Sequence, residues 1–136
     1  MATARVVAAV GVVAMSLVLP GCSSLGPDAA GAGHAASSFH AALRGGNGVE
    51  GCALLAAGTV EHVEKSSHAA CEKGILDSDI PDAEQIVDVR AYGHAAQVRM
   101  DTDTVFLTVA GGGWKITAAG CRPEPGGPYD CEIEGQ

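Results

Sequence analysis

Charge is scarce in this chain, and positive charge scarcer still. Charged residues make up 18% of the 136 residues, and eight Lys and Arg stand against sixteen Asp and Glu, for a net charge of −8. A chain so poor in cations repels a phosphate backbone, which excludes a nucleic-acid binder. Aromatics are few as well, with one Trp, two Tyr and two Phe. The signatures of several chemistries are missing. There is no Cys-x-x-Cys redox pair, no His-Glu-x-x-His metal helix and no serine nucleophile elbow. Gly111–Gly113 leads into a strand pattern, Trp114-Lys115-Ile116, rather than a helix, so it is a turn and not a phosphate cradle. The length suits one compact domain and excludes a multi-domain enzyme, while 47% hydrophobic residues exclude a disordered chain.

No apolar run reaches the ~20 residues that a membrane-spanning helix needs. Val6–Leu19 is fourteen residues long, follows the lone cation Arg5, and no charge appears after it until Asp28. A basic start, a short apolar stretch and small residues before a cut describe a secretory signal over residues 1–21. A buried core helix is the poorer reading, because Val6–Leu19 is apolar on every face.

The signal ends in Leu19-Pro20-Gly21-Cys22. This resembles the lipobox of bacterial lipoproteins, with an aliphatic residue three before the cysteine and a small one just before it; Pro20 departs from the small or aliphatic residue usual there. The resemblance implies a diacylglyceryl thioether on Cys22, palmitate-type acyl chains, and cleavage before that cysteine. Two chains anchor stably, where one binds only marginally. The partner so implied is a membrane, met from its extracytoplasmic face. An ordinary cut further on, near Ala30-Gly31-Ala32, is the alternative, and it discards Cys22. Either way Cys52, Cys71, Cys121 and Cys131 remain, an even number that can pair in an exported protein. Of the three pairings, Cys52 with Cys71 and Cys121 with Cys131 close the shortest loops. Residues 22–34 then comprise the lipidated cysteine and a tether rich in Ser, Gly, Ala and Pro, and residues 35–136 form the domain. With Arg5 removed, the mature side-chain balance is −9, which favours solubility beside an anionic surface.

Within the domain, the first half reads helical. Ala35, Phe39, Ala42 and Leu43 fall at helical spacing before Gly45-Gly46. Asn47 caps a short second helix with Val49, Cys52, Leu55 and Ala56 on one side and Gly58 closing it. Val60 and Val63 mark a third helix, and about His68 to Leu76 a fourth. Residues 77–82 are a turn-rich connection. The second half switches to period two, with strands over Gln85–Tyr92, Ala95–Asp101, Thr104–Val109 and Trp114–Thr117. Helices followed by hairpin-linked strands make an α+β domain with the helices on one face of an antiparallel sheet.

The order of elements and the late hairpin DTVFLTVAGGGWKIT resemble the nuclear-transport-factor-2-like superfamily. Together with the lipobox, the FHAALRGG helix and the closing GCRPEPGGPYDCEIEG resemble small actinobacterial lipoproteins. The resemblance implies a curved, cone-shaped α+β fold, and it carries no single activity. In the superfamily's isomerases and cyclases a pocket Asp or His acts as base with Tyr or Asp donors. The residues available for that role are His40, His62, Asp88, Tyr92, His94, Asp101 and Asp103. None lies in a motif that fixes mutual geometry, and Asp101-Thr102-Asp103-Thr104 reads most simply as a polar hairpin turn. The five histidines, His34, His40, His62, His68 and His94, lack metal-ligand spacing, so no metal or cofactor is implied. The expectation is a non-catalytic binding or interaction module for a small apolar ligand or a neighbouring envelope protein, with an isomerase-type or cyclase-type enzyme as the alternative.

Overall fold

The computed structural model describes residues 28–135, so Cys22 and the expected signal over residues 1–21 lie outside the described residues. Four helices come first: α1 (Ala29–Arg44), α2 (Gly48–Ala53), α3 (Ala57–Ser67) and α4 (Cys71–Gly74). Five strands follow: β1 (Ile86–Tyr92), β2 (Ala95–Met100), β3 (Thr104–Ala110), β4 (Gly113–Arg122) and β5 (Asp130–Glu134). They form one antiparallel meander in chain order, open at β1 and β5. Among the described residues no helix is long and apolar enough to cross a membrane.

Residues 29–34, expected to belong to a tether, instead form the first turns of α1, which starts at Ala29. Asp28 caps the helix, accepting from Gly31 N at 2.8 Å. The small residues serve close packing rather than freedom. Ala32 and Gly33 are buried, and a Cβ on Gly33 would come within 3.1 Å of Ile86 Cδ1. Asn47 caps α2 as its sequence indicates, accepting from Glu50 N. Gly58, however, lies inside α3 rather than closing α2, and Val49 is exposed. Leu54–Ala56 instead runs alongside β4, where Ile116 N donates to Leu54 O and Ala56 N to Ile116 O. The fourth helix contracts to Cys71–Gly74.

The helices cover one face of the sheet. Phe39 from α1 shares one buried cluster with Val98, Val105, Leu107 and Ile116 from three strands and with Ile75 and Ile133. The alternation assigned to β2 holds, with Val98 and Met100 inward and Arg99 outward. The last strand is an addition: residues Asp130–Glu134 of the closing segment pair with β4 as β5. Its loop is also pinned to the outer face. Tyr129 stacks edge-on against Phe106 at 5.0 Å between centroids, and Gln97 Nε2 donates to its hydroxyl at 2.9 Å.

Cys52–Cys71 ties α2 to α4, and Cys121–Cys131 bridges directly opposed residues of β4 and β5. The first closes a loop of 19 residues, worth about 3 kcal/mol in the chain-entropy model. Replacing both Cys52 and Cys71 by Ala is expected to lower the unfolding free energy by about that amount in urea titration.

Asp101 organises the approach to β1. Slight burial works to raise its carboxyl pKa. The backbone N–H groups of Glu84, Gln85, Thr102 and Asp101 itself outweigh that and hold it below its ordinary value of 3.8. Glu84 N and Thr102 N lie 3.1 Å from Asp101 Oδ1. A carboxyl depressed by folding contributes stability above its unfolded pKa and loses it as pH falls through the folded value. The stability gap between wild type and Asp101→Asn is therefore expected to be constant near neutrality and to shrink below about pH 4. Thermal melts at stepwise acid pH would read it.

Candidate functional site

Two residues from the list of sequence candidates meet in the interior. His40, on the buried face of α1, places Nε2 2.9 Å from Asp103 Oδ2. They are 63 residues apart in sequence, and both side chains are essentially inaccessible, at 1% and 0% exposure. Asp103 thus departs from its expected place in a solvated turn. Its neighbours Asp101 and Thr102 are exposed, but the chain dives inward at Asp103 as β3 begins.

A carboxylate taken out of water needs donors, and β4 supplies two. Gly120 N lies 3.2 Å from Asp103 Oδ2, and Cys121 N lies 2.9 Å from Oδ1. Successive N–H groups in a regular strand point in opposite directions, so convergence on one carboxylate requires a break in the alternation. Gly120 provides it at φ +67°, a conformation that side chains rarely adopt. A Cβ there would also stand 2.7 Å from Glu132 Cγ. With both carboxylate oxygens accepting from backbone, the imidazole donates from Nε2, and Nδ1 is the ring nitrogen not committed to Asp103.

His40 also reaches the floor of an open groove between α1, α4 and the connection before β1. The groove encloses about 240 Å³, with Leu43, Ile75, Leu76, Ile80 and Pro81 as apolar walls. Arg44 and Asp82 close its rim through a 2.7 Å ion pair. Apolar walls with the polar Ser78, Arg44 and Asp82 at the rim can hold a small apolar body and one hydrogen-bonding group. Leu76 is exposed at its mouth.

The other candidates are not gathered there. His34 is exposed on α1, His62 half-buried on α3, His68 exposed at the end of α3, and His94 exposed in the β1–β2 turn. Asp88 lies on the outer sheet face, 2.9 Å from Arg90 Nε. Tyr92 is 70% exposed at the end of β1, and Tyr129 packs on the outer face of the sheet. The tyrosine partner of the isomerase reading therefore does not face His40 or Asp103. Among the described residues, no three His, Cys, Asp or Glu side chains converge on a metal-sized point. The interior of the sheet is occupied by side chains, and the groove lies beside it. One local signal for the network was present in the sequence: a glycine inside an otherwise apolar strand, Ala118-Ala119-Gly120-Cys121, marks a bulge or a close backbone approach.

Asp103→Ala would strip the acceptor from three buried donors at once. The expected loss is about 3–5 kcal/mol of unfolding free energy, with a smaller loss for Asp103→Asn, which keeps one acceptor oxygen. Chemical denaturation of both variants checks the order. Compared with protein-family models, curated proteins and solved structures, the chain matches none.

Proposed function

We propose that this chain is a lipid-anchored protein of the bacterial cell envelope. In this reading Cys22 holds it on the extracytoplasmic face of the membrane, and its domain is a binding module rather than an enzyme. The observation that carries the binding role is the groove beside His40, with apolar walls from Leu43, Ile75, Leu76, Ile80 and Pro81 and a polar rim of Arg44, Ser78 and Asp82. At about 240 Å³ it falls below the ~300 Å³ at which drug-sized pockets begin. The fitting ligand is therefore a small, largely apolar molecule with one polar group to meet the rim of Arg44, Ser78 and Asp82.

Several features support the anchor. Two disulfides suit an exported protein, and they use all four cysteines of the described residues, leaving Cys22 as the odd one. A cut near Ala30-Gly31-Ala32 would remove the capped first turn of α1 and the buried Ala32. Five residues separate Cys22 from Asp28, a span of at most ~20 Å, which keeps the domain close to the membrane surface. The helices-then-meander order, with the helices on one sheet face, supports a cone of the nuclear-transport-factor-2-like kind. In such a cone this chain has filled the interior and opened its binding site at the flank.

Two measurements test the proposal. Intact mass of the native protein should show loss of residues 1–21 and a diacylglyceryl addition that Cys22→Ser abolishes; an unmodified Cys22 overturns the anchor. Phenol titrated into the isotope-labelled protein should shift the amide signals of His40, Leu43 and Ile80, and Leu76→Trp should suppress those shifts by filling the groove. Shifts scattered over the surface, or indifferent to Leu76→Trp, overturn the binding site.

A further inference from the structure

Strand β1 is an edge, and its sequence is complementary to itself. The Gly93-His94 turn closes a two-residue hairpin in which Tyr92 pairs with Ala95. Such a hairpin makes Tyr92 and Ala95 a hydrogen-bonded pair, and the ladder alternates from there. Arg90 and Asp88 thus bond to β2, while the N–H and C=O groups of Ala91 and Val89 point outward along the open edge. Edge strands with unpaired backbone groups are templates for another strand. Here the exposed side chains add to that. Of the six large apolar side chains left exposed among the described residues, Ile86, Val87 and Tyr92 lie on this strand, Val87 at 57% exposure.

Charge selects the partner and the register. An antiparallel pairing of β1 with itself, centred on Val89, sets Asp88 against Arg90 of the other copy and Arg90 against its Asp88. Centring the pair on Arg90 or on Asp88 would oppose like charges across the axis. A slip of one residue would turn inward-facing side chains outward. Both charged side chains are accessible for the exchange, Arg90 at 62% and Asp88 at 39%. Directly opposed residues lie on the same sheet face with Cβ atoms about 5 Å apart, so each Asp–Arg pair falls within ion-pair reach. The net charge of −8 opposes association at long range, but at physiological salt its reach is cut to about 8 Å.

We propose that β1 is the contact surface for a second copy of this chain, joined edge to edge about Val89 into one continuous antiparallel sheet. The two-fold axis runs perpendicular to the sheet, so both copies carry α1 on the same side. Backbone hydrogen bonds of Val89 hold the centre of the pair and the crossed Asp88–Arg90 pairs set the register, all within the regular stretch of β1 that follows the irregularity between Ile86 and Asp88. This assembly does not depend on what the groove over His40 binds.

The test uses charge exchange in the full-length chain, co-expressed with two different C-terminal tags and extracted in mild detergent. Wild-type copies should co-purify. Asp88→Arg gives each copy two cations at the paired positions, and Arg90→Asp gives each copy two anions. Either variant expressed alone in both tagged forms should lose co-purification on the order of tenfold, since two attractive pairs become repulsive. Asp88→Arg co-expressed with Arg90→Asp should recover it, because each cation again faces an anion, and that recovery also shows that both variants fold. The proposal is overturned if wild-type copies do not co-purify, if neither single variant weakens co-purification, or if the mixed pair fails to recover it.

Discussion

The carboxylate of Asp103 is the constraint on which the rest of the domain depends. It stands just before β3, yet it is buried, and a buried carboxylate is tolerated only with its acceptors filled. One donor comes from α1 through His40, and two come from β4 through the backbone of Gly120 and Cys121. The requirement for all three fixes relations that apolar packing leaves loose. It sets the rotation of α1 about its own axis, so that His40 and not a neighbouring residue faces the sheet. It also sets the bend in β4, because only a left-handed residue turns two successive N–H groups to one point.

That bend passes the constraint onward. Cys121 donates to Asp103 through its backbone and is joined through its side chain to Cys131 on β5. The same short stretch of β4 thus serves the core network on one side and the last strand on the other. At the far end of β4, Leu54–Ala56 takes the position that β5 leaves free beside Ile116. With so few aromatics, the domain replaces bulk in its core with covalent and polar ties: one disulfide between helices, one between strands, and the Asp103 network between the two layers.

The sheet's two faces and its edge separate three tasks. The inner face is filled by α1 and its apolar partners, which moves the open groove to the flank over His40. The outer face carries Gln97, Arg99 and Tyr129 and stays polar. The β1 edge keeps unpaired backbone groups beside a self-complementary Asp-Val-Arg.

Much of this was written in local patterns. Period-two alternation placed β2 and the hairpins, Asn47 marked the start of α2, and the helices-then-strands order set the α+β class. Those features depend on neighbours a few residues apart, so sequence alone determined them. The start of α1 is not legible locally because Ala and Gly suit both a tether and a tightly packed helix, and only the proximity of Ile86 and Val89 tells them apart. Likewise β5 was hidden in a Pro- and Gly-rich tail whose order comes from β4 and from Tyr129 on Phe106. His40 and Asp103 could each be named as candidates, but 63 residues separate them, and no local rule brings an apparent turn aspartate under a helix. That meeting belongs to the tertiary structure, because desolvation makes the carboxylate gather donors from wherever the fold can bring them.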